Sequence, residues 1–314
     1  MHDLAVLFEH PSWQEPLFAA LTRRGVDFVP VDLKRAAYGD TDERLARVYF
    51  NQASPSAYVR GHTRAVPFAL AYMQSLETAG CRVLNGARPF LLELSKAAQV
   101  ALMLKLGIDH PRSVVFNDPS ALRSRNLSFP AILKPNQGGS GARMFRIDAL
   151  ADLERLLDAS PELWLPDNLF LLQELLVPRE GEGIVRLEFV GGELLYAMRV
   201  IAPGQFNLCP SEACHPVDVG GEVICEVPKE AAPVRFEPYP SVPGEAVEQA
   251  ARIVRAGGLD VAGIEYLDTA DGRRVFYDVN ANSNLRPSVA AASGFDPFER
   301  VVDYLVREIG KVTS

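Results

Sequence analysis

Through residues 1–90, short apolar runs alternate with stretches of helical spacing. Leu4–Phe8 (LAVLF), Asp27–Asp32 (DFVPVD), Arg47–Asn51 (RVYFN) and Cys81–Asn85 (CRVLN) predict strands. Gln14–Arg24 and Arg64–Ala79 predict helices between them. Strand and helix in alternation point to a small parallel α/β sheet. No G-x-G-x-x-G follows the first run, which argues against a dinucleotide site there.

Beyond that region the pattern changes. Leu92–Leu106 (LELSKAAQVALMLKL) predicts a helix, with Ser95 as a cap and Gly107 as its stop. Strands are expected at Ser113–Phe116, Ala131–Lys134 and Ala142–Ile147, then a helix over Asp148–Asp158. Phe170–Pro178 reads as an apolar strand with Gln173 and Glu174 inside it, and unpaired backbone at its end could read a purine edge. Ile184–Val190 and Glu193–Ile201 flank Gly191-Gly192, a tight hairpin signal. Simple alternation puts Val185, Leu187, Phe189, Leu194, Tyr196 and Met198 on a core face, and Arg186, Glu188 and Arg199 on a charged one. Two arginines on one face suit an anion as well as they suit a solvated surface. Gln205–Tyr239 is rich in Pro, Gly and Cys and reads as a substrate loop or irregular edge strand. Helical spacing returns at Gly244–Ala256 and Pro297–Ile309.

Between those last helices lies a second hairpin, Val261–Asn280 (VAGIEYLDTA-DG-RRVFYDVN). Asp271-Gly272 marks a two-residue turn. Counting back from it places Glu265 opposite Asp278, and Asn280 on the same face opposite Gly263, which leaves room beside it. Opposed like charges repel. Two carboxylates and an amide oxygen at that spacing suit Mg²⁺, which takes hard oxygen ligands and shares them with phosphates. Upstream, Lys134 ends a buried strand and runs into Pro135-Asn-Gln-Gly-Gly-Ser-Gly141. Glycines at Gly138, Gly139 and Gly141 let backbone N–H groups approach anionic oxygens, and a lysine adds a point charge. No G-K-[ST] follows, so this is not a Walker A loop.

Composition narrows the field. The chain has 314 residues, 48% of them hydrophobic, and a formal charge of −8. That length allows two or three subdomains, and no apolar run approaches the roughly 20 residues of a membrane span. The acidic balance argues against general nucleic-acid binding. The N-terminal MHDLAVLFEHP reads as a first strand rather than a signal peptide. Cys81, Cys209, Cys214 and Cys225 are too few for a disulfide scaffold, which points to a reduced, cytoplasmic protein. Zinc at Cys209, Cys214 and His215 ranks behind a shaped loop or plain buried thiols. The five histidines show no paired spacing, so neither a histidine metal site nor a Ser-His-Asp triad has support.

Taken in order, these pieces resemble the ATP-grasp superfamily, most closely its RimK-type and glutathione-synthetase-like carboxylate–amine ligases. The resemblance runs from about Asn85 to Pro297. It implies a pre-ATP-grasp parallel α/β domain over 1–90, an ATP-grasp N-terminal subdomain over 91–172 and a C-terminal subdomain over 173–314. The fold class is therefore α/β, becoming α+β with antiparallel sheets in the C-terminal part. Lys96, Lys134 and the loop Gly138, Gly139, Ser140, Gly141 match positions that contact nucleotide phosphates. Gln173-Glu174-Leu175-Leu176 matches the hinge whose backbone binds adenine. Ile184–Gly191 resembles D-I-R-x-F-V-x-G. Glu265, Asp278 and Asn280 match the Mg²⁺ ligands.

The resemblance further implies ATP with one or two Mg²⁺ ions (Mn²⁺ as a substitute), and Arg199, assisted by Arg186 or Arg286, against acyl-phosphate charge. Its partners would be a small-molecule or peptide carboxylate and an amine acceptor, with no nucleic acid and no membrane; homodimers are common among such ligases. Three departures fall near the acceptor side. Asn280 is followed by Ala-Asn-Ser-Asn284 without the usual Pro-Gly. Ile184 stands where an acidic residue often precedes Arg186, leaving Glu180 or Glu182 for the ribose. After Arg199 the common N-L appears as Phe206-Asn207-Leu208-Cys209. A phosphotransferase and a non-catalytic nucleotide-binding module are the alternative functions on this scaffold.

Overall fold

The protein's structure, a computed structural model, describes residues 1–139, 141–201, 234–283 and 285–313. Ser140, Asn284, the segment Phe206–Cys209, Cys214, His215 and Cys225 lie outside the described residues. Among the described residues no helix is long and apolar enough to cross a membrane. The chain begins with β1 (His2–Phe8), α1 (Pro11–Arg23), β2 (Phe28–Asp32), β3 (Ala46–Gln52), α2 (Ala65–Thr78) and β4 (Arg82–Leu84). These strands form one sheet in the order β2-β1-β3-β4, every pair parallel, as the alternating pattern predicts. A parallel sheet covered on both faces needs apolar side chains in both directions. Leu4 and Val6 accordingly join one core cluster, with Leu17 of α1, while Ala5 and Leu7 join another, with Met73 of α2.

Two helices, α3 (Ala87–Leu94) and α4 (Lys96–Leu106), replace the single one expected over Leu92–Leu106. Ser95 between them is extended, at φ −126° and ψ 104°, and its hydroxyl accepts from the Ala98 N–H at 3.2 Å. A capping side chain works only from just outside the helix it starts, so this serine also ends α3. A small antiparallel sheet follows, built from β5 (Ser113–Phe116), β6 (Ala131–Pro135), β7 (Phe145–Ile147), then α5 (Leu150–Ala159) and β8 (Phe170–Glu174). Its order is β5-β8-β6-β7, with Leu153 of α5 packed on Leu133 and Phe170 in one core. β7 begins at Phe145 rather than Ala142, because residues 141–143 form a turn in which Gly141 and Arg143 have φ of 69° and 57°.

The third sheet comprises β9 (Ile184–Val190), β10 (Glu193–Ile201), β11 (Arg235–Pro238) and, after α6 (Gly244–Gly257), β12 (Val261–Asp268) and β13 (Arg274–Asn280). Its order is β11-β10-β9-β12-β13 and all its pairs are antiparallel. α7 (Pro287–Ala290) and α8 (Pro297–Thr313) complete the chain. One face of the sheet packs Val185, Leu187, Phe189 and Ile264 against Ile253 of α6 and Met103 of α4. On the other face Val190, Met198 and Val261 join Leu4, Val6 and Leu305 of α8, so the first and third sheets share a core. Asn85 fixes that joint: its side chain donates to the Val261 carbonyl at 2.8 Å and accepts from the Asp260 N–H at 2.8 Å.

Both hairpins depart from simple counting. In the first, Gly191 and Gly192 adopt φ of 61° and 86°, the two-residue turn the sequence predicts. A bulge between Leu194 and Tyr196 then pairs Tyr196 with Glu188, Met198 with Arg186 and Arg199 with Val185. Tyr196 and Met198 therefore share the face of Arg186, and Arg199 lies on the opposite one. Nor is the Arg186 and Glu188 face a solvated surface, since both are almost fully buried.

In the second hairpin the turn is one residue longer than expected. Thr269 N–H donates to the Arg273 carbonyl at 2.8 Å, and Asp268 pairs with Arg274. A bulge at Tyr277 removes that offset, pairing Tyr266 with Phe276 but Glu265 with Asp278 and Gly263 with Asn280. Two one-residue shifts of opposite sense leave the expected carboxylate pair in register.

Candidate active site

A cleft opens where the three sheets meet. Lys134 of β6, Lys96 at the start of α4, and Glu265, Asp278 and Asn280 of the large sheet all line it. Gly138, Gly139 and Gly141 line it too, with Gln173, Glu174 and Leu176 at the end of β8. Trp13 and Ser54–Ser56 wall it from the first sheet. Bending the strand at Tyr277 turns that side chain toward Glu265, where its hydroxyl donates to Oε2 at 2.9 Å.

The opposed carboxylates are tolerated because each has its own cation. Lys96 Nζ lies 2.5 Å from Asp278 Oδ1. Arg186 Nη1 lies 2.7 Å from Glu265 Oε1, and its Nε lies 2.6 Å from Glu188 Oε1. Ser283 closes this second group, accepting from Arg186 Nη2 at 3.0 Å and donating to Glu188. Gly263 has a reason of its own: a Cβ there would come within 2.2 Å of Arg186 Nη2. The room the sequence left beside Asn280 is thus filled by a guanidinium.

Burial and neighbouring charge pull the site's ionisable groups in different directions. Burial, and then the nearby Lys96, pushes Lys134 down to about 7. Phosphate oxygens beside it would restore its charge. Burial raises both acids of the hairpin, but Lys96 overcomes it at Asp278, which stays below the usual carboxylate range. Glu265 remains raised because burial outweighs Arg186 there. For Arg186 the balance favours charge, with Glu188 and Glu265 outweighing desolvation.

The oxygen donors fit a hard divalent cation. Asn280 Nδ2 donates to the Gly263 carbonyl at 3.2 Å and to Asp278 Oδ2 at 3.1 Å, which leaves its amide oxygen for a ligand role. Two carboxylates and one amide oxygen make an all-oxygen set of the Mg²⁺ kind. Among the described residues no group of three or more His, Cys, Asp or Glu is placed to hold a metal ion, so a set here would include the Asn280 amide.

The two lysines are held in common. Asn136, just after Lys134, accepts the Lys96 N–H on its carbonyl at 3.2 Å and the Ala97 N–H on Oδ1 at 2.9 Å. Its Nδ2 donates to Asp167 Oδ2 at 2.6 Å. On the far side of the glycine loop, a Cβ at Gly139 would lie 2.9 Å from Ser56 Cβ, so glycine permits close docking on the 3₁₀ turn Pro55–Arg60.

Not every expected residue reaches the cleft. Arg199 stacks over the Tyr239 ring at 4.2 Å, on the face opposite Arg186, because of the β10 bulge. Arg286 lies 3.6 Å over the Phe236 ring, and its backbone N–H donates to Tyr196 OH. Neither lines the cleft, and nor do Leu175 and Glu182. Glu182 is placed 3.4 Å from Arg179. Glu174 reaches the wall, yet its carboxylate is paired with Arg112 at 2.9 Å and Arg273 at 3.1 Å, so it ties the end of β8 to the segments before β5 and β13. Gln173 donates to Ser113 Oγ at 2.8 Å.

Glu93 was not singled out in the sequence, although it falls on the buried stripe of α3 with Ala87 and Phe90, where an acid is out of place. It lines the cleft and accepts the Asn282 N–H at 3.2 Å, and burial raises it to about 8. A carboxyl whose folded value exceeds its unfolded one keeps its proton in the native state alone between about pH 4.5 and 8, so stability falls as pH rises through that window. Glu93→Gln removes the dependence while keeping the acceptor oxygen. Urea unfolding from pH 5 to 8 is expected to show the variant gaining on the wild type, by on the order of 2–4 kcal/mol at pH 8. Parallel pH profiles would refute it.

No protein-family model matches the chain. It is 24% identical over 246 residues to a probable alpha-L-glutamate ligase of Haemophilus influenzae (strain PittEE), covering 77% of this chain and 74% of that one. Its fold is similar to that of the ATP-grasp ligase PsnB complexed with a phosphomimetic variant of its minimal precursor, Mg and ADP. The TM-score is 0.67 at 21% identity, over 98% of this chain and 100% of PsnB. A RimK domain ATP-grasp protein from Sphaerobacter thermophilus DSM 20745 matches with a TM-score of 0.67 at 17% identity, over 96% and 98% of the two chains. The parallel sheet, the two antiparallel sheets and these likenesses agree: the chain has the fold of the ATP-grasp ligases and is distantly similar in sequence to a probable alpha-L-glutamate ligase.

Proposed function

We propose that the cleft binds ATP and joins a carboxylate to an amine. A carboxylate oxygen attacks the γ-phosphorus and ADP departs. The amine nitrogen then attacks the acyl carbon, phosphate leaves, and the nitrogen gives up a proton. Such chemistry needs positioning and charge compensation more than covalent help from the protein. The observation carrying this reading is the convergence of Lys96, Lys134, the glycine loop and the Glu265, Asp278, Asn280 set on one cleft.

Lys134 and Lys96 hold phosphate oxygens, and backbone N–H groups near Gly138–Gly141 surround them. Leu176, which lines the cleft between β8 and the bridge of Pro178 to Thr269, offers backbone to adenine. Glu265, Asp278 and Asn280 would hold Mg²⁺, which when bound neutralises phosphate charge. Arg186 contributes by holding Glu265, since Glu188 and Ser283 already occupy the rest of its guanidinium. Trp13 and Ser54–Ser56 form the wall for the acid to be activated. The relatives' substrates, glutamate and a precursor peptide by name, suggest an amino-acid or peptide substrate.

The test is ADP release over a panel of acids and amines, with the product identified by mass. An amide product supports the ligase. A stable phosphorylated product formed without any amine identifies a phosphotransferase instead.

A further inference from the structure

All four carboxylate oxygens of Glu265 and Asp278 accept a bond from a protein donor. Glu265 has Arg186 Nη1 on Oε1 and Tyr277 OH on Oε2. Asp278 has Lys96 Nζ on Oδ1 and Asn280 Nδ2 on Oδ2. A divalent cation at this hairpin must displace or share at least one of them. The two cationic donors differ in how firmly they are held. Arg186 is clamped by Glu188 and Ser283 as well as Glu265, and its side chain is only 4% exposed. Among the described residues Lys96 makes a single ion pair, from the first position of α4, and its side chain is 12% exposed. Its backbone is pinned by Asn136 while its four-carbon stem can swing.

We propose that Lys96 is a placeholder cation at the metal site. It neutralises Asp278 until nucleotide phosphates draw its ammonium away, so a divalent ion binds well only together with nucleotide. This rests on the reading of the cleft as a nucleotide and metal site. By linkage, nucleotide and metal raise one another's affinity by the same factor, and the exchange of Lys96 between Asp278 and phosphate carries part of that factor. The arrangement links the two ligands through one side chain, with no movement of the sheets required.

The test is Mn²⁺ binding to the full chain, followed by electron paramagnetic resonance without any turnover. Lys96→Met, and Lys96→Gln as a second variant, are expected to bind Mn²⁺ alone about tenfold more tightly than wild type. That factor follows from the size of a close charge pair's effect on a carboxylate. Lys96→Arg keeps the charge and should match the wild type. Adding Asp278→Asn to Lys96→Met should abolish the gain.

If the wild type binds Mn²⁺ with ADP, but neither neutral variant binds the ion alone more tightly, the placeholder is overturned and the site stands. A wild type that binds Mn²⁺ as tightly without ADP as Lys96→Met does overturns it equally. If the wild type binds no Mn²⁺ with or without ADP, the underlying reading of the cleft fails instead.

Discussion

Asp278→Asn is expected to lower turnover by about three orders of magnitude or more while leaving the fold in place. Asparagine keeps the size and one oxygen of the aspartate, so the register opposite Glu265 and the bond from Asn280 can persist. What disappears is a negative charge at the centre of the cleft. Phosphoryl transfer depends almost wholly on placing counter-charge around the moving group, and each tenfold in rate is about 1.4 kcal/mol. Losing about 4 kcal/mol from one anionic group is in the range of removing a preorganised electrostatic contact. Lys96 also loses its partner, but it stands at the first position of α4, lines the cleft and can turn its flexible stem into it. The measurement is kcat from steady-state ADP release, with urea unfolding as the control for stability. A variant within tenfold of wild-type kcat would remove Asp278 from the site.

The hairpin that carries Asp278 also illustrates what was legible in the sequence. Its acids, its asparagine and its glycine were all found by counting in steps of two, and the structure pairs them as expected. The count nevertheless assumed a two-residue turn, and only the Tyr277 bulge brought it back into phase. A bulge leaves no composition signature that distinguishes it from regular strand, which is also why Tyr196, Met198 and Arg199 were assigned to the wrong faces. The parallel sheet was legible because strands buried on both faces read as apolar runs between amphipathic helices. Lys134 and its glycines stood out because ordinary folding has little use for them together. Glu93, Asn136 and Ser283 did not, since each matters through a partner far away in the chain: Asn282, Lys96 and Arg186 respectively. Long-range pairings of polar groups are set by the packed fold, and no local spacing records them.

Arg186→Met is expected to destabilise the protein by about 3–5 kcal/mol, the usual cost of breaking a buried ion pair from one side. The side chain of Arg186 is 4% exposed, that of Glu188 is fully buried and that of Glu265 is 9% exposed. Without the guanidinium, two carboxylates on one face of adjacent strands lose their shared counter-charge and must either take up protons or draw in water. Because the cost lies in the unpaired acids, Arg186→Met combined with Glu188→Gln should recover part of the loss. The double variant should still be a poor enzyme, since Glu265 would lack the donor that fixes its Oε1. Arg186→Lys should not restore either property: one ammonium cannot span Glu188, Glu265 and Ser283 as the planar fork does. Urea unfolding of the four proteins at pH 7 separates these cases. A single variant that loses less than about 1 kcal/mol would mean that Glu188 and Glu265 find compensation elsewhere, and that Arg186 is not what holds the Glu265 carboxylate in place.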